Sequence, residues 1–254
     1  MKTLMATLAV AVALSVPLAS HAHVLWLLVD HDTPKVGEPV KVEIGWGHKF
    51  PRDEQIKPER LGSIKVLGAR GQEVPLKKIS TTEYKFVPPK AGEYLILAQV
   101  VPDFLTKTRS GFKLQSKKGL PDALSCFRFH MNAKTLINAG SKREGFDMGA
   151  RSSLEIIPLK NPHVLKVGQA LPIKVIFQGA PLAGAEVRVA HASRSDSSKP
   201  FVAVGKTDAQ GQIQVSLDQP GKWLIVTSHK TPYHPREECD EHFYSTSFTF
   251  VVHE

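Results

Sequence analysis

The chain carries one long pattern twice. Lys35-Val36-Gly37-Glu38-Pro39, followed by the alternating Val40-Lys41-Val42-Glu43-Ile44, returns about 130 residues later as Lys166-Val167-Gly168-Gln169-Ala170 ahead of the strand-like Leu171–Phe177. A second stretch, Ala91-Gly92-Glu93-Tyr94-Leu95-Ile96, returns at nearly the same offset as Pro220-Gly221-Lys222-Trp223-Leu224-Ile225. Two separate matches at one long offset point to a tandem pair of related domains. They exclude a short-period solenoid, whose units would recur within tens of residues.

Within each copy the periodicity is that of strands. Lys41-Val42-Glu43-Ile44, Glu186-Val187-Arg188-Val189 and Gln212-Ile213-Gln214-Val215 alternate, and Ser247–Val252 is rich in β-formers. Gly71-Gln72, Asp208-Ala209-Gln210-Gly211 and Gln219-Pro220-Gly221 supply the turns, and no useful helical period follows the first residues. The expected fold is all-β: two tandem immunoglobulin-like antiparallel β-sandwich domains, residues 23–158 and 159–254. The first copy is longer between its matching segments, so an insertion is expected near 99–150. It carries Lys107, Arg109, Lys113, Lys117 and Lys118 interleaved with Phe104 and Phe112. A solvated basic loop is one reading of that stretch, and attraction to an anionic surface or acidic partner is another.

The amino terminus has the form of an export signal. Met1 and Lys2 precede an apolar run, Leu4 to Leu18, and Ser20 and Ala22 occupy the small positions before a cut that makes residues 1–22 a signal peptide and His23 the first mature residue. A cut after Ser20 would instead put Leu18 at a position that favours small residues. Export implies an oxidising compartment, where Cys126 and Cys239 are expected to form one disulfide; a thiolate ligand at Cys239 is the competing reading. The formal net charge of +9 is scattered, and in an exported chain it does not argue for a nucleic-acid partner. No later run is long enough for a membrane-spanning helix.

A histidine at a free terminus offers a metal both its α-amine and its ring. Residues 23–29 read as a strand, Asp30 to Glu38 as a turn, and Pro39 to Trp46 as the returning strand. A turn centred near Pro34 or Lys35 places His23 opposite Trp46 or Gly47, with His48 next to it. His23 and His48 would then supply three nitrogens, a set suited to copper, nickel or cobalt. His229, at the end of the strand from Trp223, is a further candidate ligand, whereas His31 reads as part of a polar turn. His234, Glu238, Asp240 and His242 around Cys239 have a metal-like composition without ligand spacing. Hydrolase, P-loop and dinucleotide-binding motifs are absent, which argues against an ordinary hydrolytic or phosphoryl-transfer enzyme.

Several of these segments also carry a family resemblance. Ala22-His23-Val24-Leu25-Trp26-Leu27, Gly47-His48-Lys49-Phe50, Pro181-Leu182-Ala183-Gly184-Ala185-Glu186-Val187, Thr207-Asp208-Ala209-Gln210-Gly211, Pro220-Gly221-Lys222-Trp223-Leu224-Ile225 with His229 beyond, and Tyr244–Phe250 occur in order. Together they resemble a bacterial domain-of-unknown-function family often labelled a periplasmic component of nickel or cobalt uptake systems. The resemblance implies a periplasmic two-domain β protein that binds nickel or cobalt, with His23, His48 and His229 at the histidine-bearing positions and a membrane metal transporter as partner. Cys126, Cys239 and the histidines near Cys239 depart from the pattern. Two other readings remain open: a copper oxidase or mono-oxygenase using the same histidines, and a metal-free structural or adhesive protein.

Overall fold

The structure, a computed structural model, describes residues 23–140, 145–195 and 200–254; the expected signal peptide lies outside the described residues. Beyond three short 3-10 turns, the described elements are strands. The first half contains β1 (Val24–Val29), β2 (Val40–Gly47), β3 (Leu61–Gly68), β4 (Glu73–Val74), β5 (Leu76–Lys78), β6 (Glu83–Phe86), β7 (Gly92–Val100), β8 (Asp103–Thr108), β9 (Gly111–Lys113) and β10 (Ala123–Ala139). The second contains β11 (Leu154–Pro158), β12 (Ala170–Phe177), β13 (Ala180–Pro181), β14 (Glu186–His191), β15 (Val202–Lys206), β16 (Gln212–Ser216), β17 (Gly221–Pro232) and β18 (Glu241–Val252). No helix among the described residues is long and apolar enough to cross a membrane.

The sequence repeat reappears as repeated local structure. Glu38 N–H bonds the Lys35 carbonyl at 3.1 Å and Gln169 N–H bonds the Lys166 carbonyl at 3.1 Å, around glycines with φ of 80° at Gly37 and 84° at Gly168. Only a residue without Cβ takes such a φ at little cost. Tyr94 donates its hydroxyl to the carbonyl of Lys90, and Trp223 its indole N–H to that of Gln219, each reaching four residues back.

One ten-stranded sheet runs through both halves in the order β15-β14-β17-β18-β10-β7-β3-β4, with β8 and β9 beside β10. β3 and β4 flank β7 as β14 and β15 flank β17, so by role the order is palindromic about its centre. There β10 and β18 run parallel, from Phe127 against Glu241 to Thr135 against Thr249. The smaller sheets, β1-β2-β6-β5 and β11-β12-β13 with β16, cover opposite faces of this sheet. Alternation along β7 shows it: Tyr94, Ile96 and Ala98 enter the core under β1 and β2, and Leu95 and Leu97 enter the core under β11 and β12. A half-turn about an axis lying in the sheet along its central pair accounts for both the parallel pairing and the opposed covers. Each half is thus an antiparallel, immunoglobulin-like sandwich with its own core, built on a shared sheet.

β1 is buried on both faces. Leu25, Leu27 and Val29 point into the first core, while Val24, Trp26 and Leu28 meet Phe50 and the Ala190, Leu224 and Val226 side chains of β14 and β17. Sheet twist brings the second half round to this outer face. Two-faced burial explains why Val24–Val29 is continuously apolar where β2 alternates. Each such side chain contributes about 1.5–3 kcal/mol relative to exposure.

Two features fasten the halves. Cys126 and Cys239 form a disulfide across a sequence separation of 113, beside the start of the β10–β18 seam. At the other end, His163 lies between two carboxylates, with Nδ1 2.9 Å from Asp32 and Nε2 2.9 Å from Glu93, and His253 Nε2 is 3.2 Å from the second Asp32 oxygen. Burial alone would lower the His163 pKa, but the bonds to Asp32 and Glu93 outweigh it and raise the imidazole to about 9. Burial likewise pushes Asp32 up, and its bond to His163 with the charges of His163 and His253 brings it below the ordinary carboxylate value. Asp32 and Glu93 belong to the first half and His163 and His253 to the second, so the ion pairs span the duplication.

Candidate metal centre

The strands β1 and β2 pair with Val24 opposite Gly47 and Leu25 opposite Trp46. This corrects the expected register, by one residue from the Gly47 pairing and two from the Trp46 pairing, and sets His23 level with His48. The reason lies in the turn. Asp30 accepts the Lys41 N–H through its carboxylate at 2.9 Å and donates its own N–H to the Lys41 carbonyl at 3.2 Å, which moves the turn centre past Lys35. By alternation His23 continues the face of Leu25 and Leu27, and His48 continues that of Ile44 and Trp46. Both rings therefore come to the rim of the first core.

Their rings lie 4.3 Å apart between centroids, and the His23 ring stacks on Trp46 at 5.1 Å with planes 11° apart. That stack limits how the imidazole can turn.

A third group completes the corner. The chain leaves β2 through Gly47, at φ 134°, and the Asp53 carboxylate accepts the N–H groups of His48 and Lys49 at 2.6 and 3.0 Å. A Cβ on Gly47 would stand 2.4 Å from that carboxylate, so the loop requires glycine here. Glu54 N–H then bonds the Trp46 carbonyl at 3.0 Å, which returns the chain to the strand end. Glu54 comes to rest with its carboxylate oxygens 3.1 and 3.2 Å from His23 Nε2. Potential ligand atoms of His23, His48 and Glu54 all lie within 4.8 Å of one another, and this is the one group of three or more His, Cys, Asp or Glu ligands found among the described residues. Gly45, one pair further along, leaves room for the indole of Trp26: a Cβ there would fall 1.8 Å from its ring nitrogen. That indole donates to the Pro51 carbonyl at 3.0 Å and so braces the loop from beneath.

His229 lies outside this group. It sits on β17 opposite Tyr244, edge-on to Phe177 at 4.6 Å, where burial lowers its pKa. The residues around Cys239 do not gather as ligands either. Cys239 is in the disulfide, Asp240 pairs with Lys117, Glu238 accepts the Tyr233 hydroxyl at 3.2 Å, and His242 Nδ1 lies 3.0 Å from His130 Nε2. Burial, His242 and Arg128 depress His130 to about 4, and burial and Arg128 lower His242 as well. His31 lies 3.0 Å from Asp30 and 3.8 Å from Glu38, within the polar turn expected of it.

The profile of a family described as a domain of unknown function (DUF4198) matches residues 20–231. No curated protein matches the chain. Among solved structures, the D0-D1 domain of Intimin is similar at 13% identity and a TM-score of 0.25, over 91% of this chain and 100% of that one. A DUF4785 family protein from Legionella pneumophila is similar at 10% identity and a TM-score of 0.24, over 79% of this chain and 50% of that one. Trypsin-activated alpha-2-macroglobulin from Escherichia coli is similar at 11% identity and a TM-score of 0.22, over 90% of this chain but 16% of that one. These likenesses carry no functional argument.

Proposed function

The chain belongs to the DUF4198 family, whose description assigns no activity, and from the histidine corner we propose that it is an exported, periplasmic binder of a divalent transition metal. Nickel or cobalt is the cargo, and a membrane metal transporter receives it. The observation that carries the reading is the convergence of His23, His48 and Glu54 within 4.8 Å. Removal of residues 1–22 would add the His23 amine to this set. The amine and Nδ1 of one histidine close a six-membered chelate, so His23 binds through those two nitrogens and His48 supplies a third. Nε2 of His23 then keeps its proton and donates to Glu54, which fixes the tautomer and makes Nδ1 the better donor. Nitrogen-rich sets of this kind favour late first-row divalent ions over calcium or magnesium.

The test is titration of processed protein, its first residue verified by intact mass, with nickel, cobalt, copper and zinc. His48→Ala, or one extra residue ahead of His23, is expected to weaken binding about a hundredfold or more, beyond the effect typical of losing an outer-shell partner. Unchanged affinity in both variants would overturn the reading. Turnover of a reductant and oxygen by copper-loaded protein would replace a carrier by a copper oxidase or mono-oxygenase.

A further inference from the structure

His23 and Trp46 also line one end of a groove of about 980 Å³, a size suited to a small organic ligand. Its floor is apolar: Phe127, Phe129 and Met131 of β10, with Phe243 of the neighbouring β18. The wall is raised by the β8–β9 hairpin and the start of β10, the part of the first half with no matching hairpin among the strands between β17 and β18. Phe112 and Leu124 on that wall are 65% and 57% exposed. Large apolar side chains left this open are a cost unless something covers them.

The charges of the rim do not balance. Its acids are already engaged, Glu241 with Lys230 at 2.8 Å and Asp240 with Lys117. Arg60 and Lys107 also line the groove and form no ion pair with a described residue. These cations favour an occupant that brings its own negative charge. The walls are held before any ligand arrives, because Cys126 lies in the lining and its bond to Cys239 ties β10 to the segment carrying Arg236 and Asp240. A preformed site loses little affinity to ordering.

We infer that this groove binds an organic anion with an extended apolar body, such as an alkyl carboxylate, its chain on the aromatic floor and its acid group at a rim cation without an ion pair among the described residues, Arg60 or Lys107. The concave arrangement of Phe112 and Leu124 around the floor suits one molecule of this kind better than a broad lipid surface. The inference rests on the groove lining alone and does not require the metal reading.

Decanoate titrated by calorimetry into chelator-treated protein tests it, with decyltrimethylammonium as the cation of equal chain length. One saturable site for decanoate and none for the cation is the expected result. Arg60→Gln with Lys107→Gln, which removes whichever cation holds the acid, should weaken decanoate about tenfold. Phe112→Ser should weaken it as well, with circular dichroism unchanged in both variants. Equal binding of the two amphiphiles, or no saturable decanoate site, would overturn the inference. So would capture by phosphatidylglycerol vesicles without binding of free decanoate, which would make the face a lipid-docking surface.

Discussion

Leu25 faces Trp46 in one half of the molecule and Leu154 faces Phe177 in the other, and the two hairpins then diverge. After Phe177 the chain turns at once through Gln178 and Gly179, at φ 50° and 84°, and Ala180 pairs back with Phe177. After Trp46 it makes an excursion from Gly47 to Asp53 before Glu54 bridges to Trp46. In register, His23 and His48 correspond to Ser152 and Gly179. The duplicated framework thus delivers two strand ends in the same way at both places, and only the loop and its side chains make one of them a candidate ligand set.

The largest break in this comparison is expected where the halves share charge. Asp32→Ala leaves His163 and His253 without their common carboxylate and should cost about 3–4 kcal/mol in urea unfolding. Because the β10–β18 seam and the disulfide still join the halves, a single transition should remain.

The pH dependence sharpens the same point with a slightly smaller effect. His163 has a raised pKa, so its contribution is complete below about 6.5 and is lost as pH rises through about 9. Asp32 has a lowered one, so its contribution is present above about 3.8 and is lost as pH falls below that value. Stability from the cluster should therefore be greatest from about pH 4 to 6.5 and decline by about 3 kcal/mol above it. Thermal melts of the wild type from pH 5 to 10 should show the alkaline decline, and Asp32→Ala should flatten it.

At the two corners the effects are smaller and unequal. Gly47→Ala should cost about 2 kcal/mol and weaken metal binding, because it adds a clash with Asp53 to backbone strain. Gly179→Ala, with nothing within 4 Å of its new Cβ, should cost only the strain, about 1 kcal/mol. Paired melting temperatures measure the difference. Smallest is Glu54→Gln, which keeps an acceptor for His23 Nε2: metal affinity should fall at most about tenfold, with stability unchanged. A loss as large as that of His48→Ala would make Glu54 a direct ligand.

Much of the framework is legible in the sequence because local rules wrote it. Gly37 and Gly168 mark the repeated turn, and the alternation after each marks β2 and β12. The pairing of Cys126 with Cys239 follows from there being two cysteines in a chain whose amino terminus reads as an export signal. The register is readable only to within one or two residues, since the Asp30 side chain, not the proline or glycine of the turn, sets its centre. Glu54 escapes notice because Asp53 and Gly47 bring it back, and neither forms a metal motif. The parallel seam between β10 and β18 is not legible at all: no short-range pattern states which of two similar strands will meet. His229 reads as a ligand from its place at a strand end, yet the fold sets it apart from the corner, edge-on to Phe177.

The Ser247 hydroxyl donates to the Leu25 carbonyl at 2.6 Å, so the first strand is bonded to the last across nearly the whole chain. A ribosome delivers these partners in the worst order. Val24–Val29, apolar on both faces, emerges first, and its shelter is complete only when β18 has been made. Pairing across so long a separation makes folding slow and late. A stop codon that removes only β18 would leave His23, His48 and Glu54 encoded and still abolish the corner they form.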